Sequence, residues 1–96
     1  MSAFYLFEMR KVVDGESLER YRSQVPEIVA RYGGQYRIIG GNPATVEGDW
    51  SPGFLIMLEF PTVEQAKSWY GSPEYEPWKR LRLDSVEGTG VFVEGI

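Results

Sequence analysis

Neither cysteine nor histidine occurs among the 96 residues. Without cysteine there are no disulfides, no thiolate nucleophiles, and no Cys-ligated zinc or iron–sulfur sites. Without histidine the chain loses the commonest general base, the commonest transition-metal ligand and the usual haem ligand, and a Ser-His-Asp triad is excluded. Only an all-oxygen metal site stays open, and no spacing of Asp and Glu resembles a calcium loop, so neither metal nor cofactor is expected. Ten basic residues against fourteen acidic ones give a formal charge of −4, and no basic cluster stands out. Nucleic acid and anionic membranes are therefore not expected partners, because affinity for phosphate comes mainly from clustered Lys and Arg. The longest apolar runs are about five residues, too short to span a bilayer, and the start of the chain lacks the pattern of a signal peptide. A cytoplasmic protein is expected.

What is present is a globular composition, 43% hydrophobic and 15% aromatic, in a length that suits one domain over residues 1–96. A first strand is expected from about Phe4 to Met9 or Lys11. Asp14, Gly15 and Glu16 then read as a helix start, and Leu18, Tyr21, Val25, Ile28, Val29 and Tyr32 form one apolar stripe. Pro26 predicts a kink or a division into two shorter helices, and Gly33-Gly34 a left-handed stop. Gln35 to Ile39 reads as a second strand, Gly40-Gly41-Asn42-Pro43 as a turn or bulge, and Ala44 to Glu47 as a short extended piece. Gly48 to Gly53 reads as a hairpin tip returning the chain to a third strand, Phe54 to Phe60.

Beyond Pro61, Thr62-Val63-Glu64-Gln65 fits a capping box opening a helix that buries Val63, Ala66 and Tyr70. Pro77 opens a last short helix carrying Trp78, Leu81 and Leu83, and Gly88 to Glu94 holds a fourth strand. The order βαββαβ suits an α+β ferredoxin-like domain, a four-stranded antiparallel sheet with its helices on one side. The crossover rule is taken to set the first and third strands side by side and parallel in the centre.

Tyr32-Gly33-Gly34, Gly40-Gly41, Glu47-Gly48-Asp49-Trp50, Glu59-Phe60-Pro61, Trp69-Tyr70, Ser72-Pro73-Glu74-Tyr75 and Arg82 together resemble the bacterial domain-of-unknown-function family thirteen-thirty. The resemblance runs over nearly the whole chain and rests on the set of short motifs. It implies a place in the dimeric α/β-barrel superfamily, in which two ferredoxin-like subunits lay their open sheet faces together. Relatives there include cofactor-free monooxygenases, muconolactone isomerases and haem-dependent chlorite dismutases. The resemblance carries over fold and assembly but no catalytic roles.

Both faces of the central strands are apolar. Tyr5-Phe7-Met9 and Phe54-Ile56-Leu58-Phe60 are expected under the helices, leaving Phe4, Leu6, Glu8, Leu55, Met57 and Glu59 on the open side. If Tyr36 and Ile38 point to the helices, Arg37 and Ile39 join the open face, as do Phe92 and Glu94. A homodimer would cover these side chains. Parallel first and third strands would bring Glu8, Glu59 and Arg37 to one end and leave Glu94 at the other. Two carboxylates near an arginine could then hold one raised and one lowered pKa, with Glu59 as base or acid, Arg37 steadying an oxyanion and Glu8 modulating both. The plainer reading is that Arg37 pairs with Glu59 to neutralise a charge at the interface.

Leu55, Met57, Trp69, Tyr75 and Arg82 join Glu8 as candidate ligand contacts. For Trp69 and Tyr75 the weightier reading is packing, and for Arg82 it is an even choice between offsetting a helix dipole and binding an anion. Trp50, at a hairpin tip, is expected against a partner subunit. Two functions remain open. One is a dimer whose inter-sheet cavity binds a small organic molecule, with isomerase- or monooxygenase-like acid–base chemistry; the other is a non-enzymatic interaction module.

Overall fold

In a computed structural model that describes all of residues 1–96, four strands and three helices follow in the order β1 (Ala3–Val12), α1 (Gly15–Arg31), β2 (Gln35–Gly40), β3 (Leu55–Phe60), α2 (Val63–Tyr70), α3 (Glu76–Ser85) and β4 (Val86–Glu94). The strand order across the sheet is β2-β3-β1-β4. Every neighbouring pair is antiparallel, including β1 with β3, where Phe4 lies opposite Glu59 and Glu8 opposite Leu55. This corrects the parallel central pair. The crossover through α1 makes β1 and β2 parallel, and β3 enters between them in the reverse direction.

The local signals for α1 act as their chemistry dictates. The Asp14 side chain accepts from the Ser17 backbone N–H at 3.2 Å and from the Ser17 hydroxyl at 2.8 Å, so the carboxylate caps the first turn. These hydrogen bonds hold the Asp14 carboxyl below its ordinary pKa. One continuous helix accommodates Pro26, so the chain does not divide there. Gly33 adopts φ +83°, and the N–H groups of Gly33 and Gly34 close back on Ala30 and Val29, each at 3.0 Å.

Thr62 caps α2 by accepting from the Gln65 backbone N–H at 3.1 Å. The second half of the capping box is replaced: the Gln65 side-chain amide donates to the Tyr32 carbonyl at 3.3 Å, tying the start of α2 to the end of α1. Ser72 makes a similar joint, donating to the Trp69 carbonyl and accepting from the Tyr75 N–H. No strand forms over 44–47, and 41–54 run as an irregular connection. In α3 the inward positions are Arg82 and Ser85, while Leu83 is more than half exposed, opposite to the expectation for Leu83.

The core lies between one sheet face and the helices, built on Tyr5, Phe7, Val25, Val29, Leu58, Phe60, Trp69 and Tyr75. Phe92 belongs to this side, with its ring against Tyr5 and Tyr70. Glu94 pairs with the buried Ala3, on the same side and at the Glu59 end of the sheet. Both positions correct the open-face assignment, and Glu94 also corrects its expected end. β4 can lie this close because it has no side chain where the two rings cross it: a Cβ on Gly88 would come within 2.7 Å of Phe7, and one on Gly90 within 2.8 Å of Tyr5.

A register shift between Tyr36 and Ile38 alters β2. Tyr36 pairs with Leu58, Ile38 with Met57 and Ile39 with Ile56, so Arg37 is the extra residue of a bulge. Ile38 therefore stands on the open face and Ile39 on the helix side, the reverse of simple alternation. The open face carries Phe4, Leu6, Ile38, Leu55, Met57, Val91 and Val93, all at least partly exposed. No helix is long and apolar enough to cross a membrane.

Candidate functional site

A cavity of about 470 Å³ lies between the sheet and the helices. β1 supplies Tyr5, Phe7 and Met9 to its floor, β3 supplies Ile56 and Leu58, and β2 supplies Tyr36 and Ile39. Helix α1 roofs it with Leu18, Tyr21, Arg22 and Pro26, whose spacing sets them on one stripe. Val12, Arg22, Pro26 and Ile39 are exposed and mark the mouth. Trp69 and Arg82 complete the lining. The void thus lies on the opposite side of the sheet from the open face, apart from the inter-sheet location expected for a dimer.

Polar groups in this apolar chamber are few. The Tyr21 and Tyr75 hydroxyls are 2.6 Å apart, and Arg82 Nε donates to the Tyr75 hydroxyl at 3.4 Å. Arg82 is only 6% exposed, and its guanidinium carbon sits 4.7 Å from the centre of the Phe7 ring. Burial works against the guanidinium charge, but the tyrosines around it, Tyr75 first, then Tyr5 and Tyr21, outweigh that effect and leave its pKa raised. The group is a permanent cation. Burial pushes the Tyr36 hydroxyl up to about 12 and carries Tyr5 and Tyr21 further in the same direction. These phenols are neutral donors and acceptors at ordinary pH. The Trp69 Nε1 donor is buried and has no acceptor in the protein.

The residues expected to form one site separate into two groups. Trp69 and Arg82 line the cavity and Tyr75 is buried against both: the Trp69 and Tyr75 rings are 4.4 Å apart, and Arg82 Nε reaches the Tyr75 hydroxyl. Arg37, Glu59, Leu55, Met57 and Glu8 belong to the open side. Within that second group Arg37 Nε donates to Glu59 at 2.8 Å. Hydrogen bonds from Ser2 and Arg37 hold the Glu59 carboxyl below its ordinary value, the direction of a settled ion pair and the reverse of a raised proton donor. Glu8 is at the far end of its strand from Glu59, so the two do not share a site. Glu8 instead accepts from Arg10 at 2.9 Å and from the Trp50 indole at 3.2 Å, which ties the 41–54 connection to β1.

Sequence reasoning assigned Tyr5, Tyr21 and Tyr36 to the core and missed them as cavity residues. Their signal was available: a phenol at a core-facing position brings a hydroxyl that needs either a partner or a polar void.

The fold is shared with several solved structures. A protein of unknown function from Rhodopseudomonas palustris superposes with TM-score 0.77 at 16% identity, over 99% of this chain and 82% of that one. A cofactor-independent oxygenase from Streptomyces nogalater gives 0.63 at 9% identity, over 99% and 91%. A DABB family protein with a ferredoxin-like fold from Mesorhizobium loti gives 0.62 at 10% identity, over 99% and 97%. At these identities the likeness is one of fold. Comparison with curated proteins gave no match. The family described as "Domain of unknown function (DUF1330)" matches residues 2–96, and with nearly every residue of the βαββαβ unit inside that match, the chain belongs to it.

Proposed function

We propose that the protein is a homodimer whose subunits each bind a small organic molecule in the cavity between sheet and helices, and act on it by acid–base chemistry without a cofactor. The cavity itself carries this reading: about 470 Å³ within a 96-residue chain, where side chains ordinarily close such space. Neutral tyrosines beside a fixed cation are groups that could pass a proton and steady the charge it leaves. The likeness in fold to a cofactor-independent oxygenase is consistent with such chemistry. The open sheet face supports the dimer, because its row of partly exposed apolar side chains gains most from a second copy. On this reading Arg37 and Glu59 act at the interface, and the ligand is held by the cavity set.

Native mass spectrometry of the protein freshly purified from its expressing cells tests the proposal. A dimer carrying one small molecule per subunit is the expected result; a dimer that stays bare after incubation with a broad set of small aromatic and aliphatic compounds would overturn ligand binding. A second reading, a non-enzymatic interaction module, is favoured by one observation, the closed Arg37–Glu59 ion pair on the open face. That reading gains if the dimer forms and the cavity takes nothing.

A further inference from the structure

The lining of the cavity has a one-sided electrostatic character. Its only charged side chains are Arg22 at the mouth and Arg82 in the interior, and no carboxylate is among them. This is notable in a chain with net charge −4. Six other arginine or lysine side chains make ion pairs with acids within 4.0 Å, Arg22 with Glu19 among them, but Arg82 pairs with none.

A buried cation ordinarily has its charge answered by an acid, since stripping water from an unpaired guanidinium is costly. Arg82 has only the face of Phe7 and one long hydrogen bond from Nε to the Tyr75 hydroxyl. Its two terminal nitrogens make no hydrogen bond, yet they are not among the sealed, unpaired atoms of the protein, so they remain open to the space beside them. Arg82 is itself among the residues that line the cavity. A guanidinium presents paired N–H groups in one plane, which suits two oxygens of an oxyanion. Around these donors stand Tyr5, Phe7, Tyr21, Tyr36, Phe54 and Trp69, whose flat faces favour a ring.

We infer that the ligand of the cavity is an aromatic anion, a flat ring system bearing a carboxylate, phenolate or enolate oxygen that Arg82 binds. The inference rests on the cavity being the ligand site, as proposed above, and adds the chemical class of the occupant. Arg82 supplies the missing charge complement from the protein side, the aromatic walls take the ring, and Arg22 draws anions toward the mouth.

Two fluorescent probes with one skeleton separate the possibilities: 8-anilinonaphthalene-1-sulfonate, an aromatic anion, and N-phenyl-1-naphthylamine, its neutral counterpart. Each is titrated into the purified wild-type protein and into the Arg82→Met and Arg82→Lys variants, with circular dichroism confirming the fold. The anion is expected to bind more tightly than the neutral probe to the wild type. Arg82→Met should weaken anion binding by about tenfold or more and leave the neutral probe within about twofold, since a hydrogen-bonded charge contact is lost and the apolar wall kept. Arg82→Lys should recover part of the loss. Equal binding of the two probes to the wild type, or parallel losses in Arg82→Met, would overturn the anion class while the cavity reading survives. Binding of neither probe would count against the cavity as the ligand site. Because the wild-type comparison needs no substitution, the inference stays testable even if Arg82→Met fails to fold.

Discussion

Tyr75 concentrates several roles in one side chain. It is fully buried, packs its ring at a tilt against Trp69, shares a hydroxyl contact with Tyr21 and accepts from Arg82. Tyr75→Phe keeps the ring and removes the hydroxyl, leaving two partners short of a hydrogen bond, and should cost about 1 to 2 kcal/mol in urea unfolding. The buried phenols make a second, pH-dependent expectation. Tyr36 titrates at about 12 in the folded protein, against 10.0 for a free phenol, and Tyr5 and Tyr21 are raised as well. Their contribution to stability is fully present below pH 10 and is lost as pH rises through the folded values. Alkaline unfolding should thus set in above pH 10, with phenolate absorbance from these three residues appearing together with the loss of circular dichroism. At the acid end the sign reverses. Asp14 and Glu59 have lowered folded values, so the stability they add is present above about pH 4.5 and disappears as pH falls through those values. The Asp14→Asn, Glu59→Gln double variant should show a flatter acid limb than the wild type.

At the scale of elements, the capping at Thr62 and the glycines of β4 set different kinds of limit. Thr62→Ala removes one acceptor at the start of α2 and should lower stability by about 1 kcal/mol, measured by thermal unfolding. Gly90→Val would press a branched side chain into the Tyr5 ring and should cost about 3 kcal/mol. Elements were the most legible level of the sequence. The Asp14 cap, the Gly33 stop and the apolar stripe of α1 depend on contacts within a few residues, and each was readable. Strand direction was not readable in that way. A hydrophobic pattern reports which face of a strand is buried but is the same in either direction; direction follows from the connections, since the crossover makes β1 and β2 parallel and the return from β2 reverses β3, and a parallel central pair, with Glu8 beside Glu59, misapplies that rule. The bulge at Arg37 escaped for a related reason, since one extra residue changes the face of Ile38 and Ile39 without any change of composition. Trp69, Tyr75 and Arg82 were named as candidates, but their gathering depends on the Ser72 joint between α2 and α3, which period and spacing alone do not specify.

The whole molecule uses the two sides of one sheet for different purposes in the proposed function. Leu6 and Met57 lie directly opposite each other near the middle of the open face. Met57→Asp should convert a dimer to a folded monomer in sedimentation equilibrium, because a charge there would be buried without a partner in the assembly. Retention of the dimer would remove the sheet face as the interface. The cavity lies behind that face, one residue along each strand, so the same variant should still take up the neutral probe if the ligand site belongs to a single subunit.

The bulge in β2 also determines how the sheet would tolerate a change of length. Anywhere in a regular strand, loss of one residue turns every later side chain to the wrong face. At Arg37 the chain already holds one residue more than the ladder needs, with Tyr36 opposite Leu58 and Ile38 opposite the next residue, Met57. Deleting Arg37 would restore even alternation while leaving Ile38 against Met57 and Ile39 over the cavity. Glu59 would be left without its arginine. At this point of the sheet an in-frame deletion is expected to preserve the fold and remove an ion pair, so that length variants here would change the surface without changing the chamber beneath it.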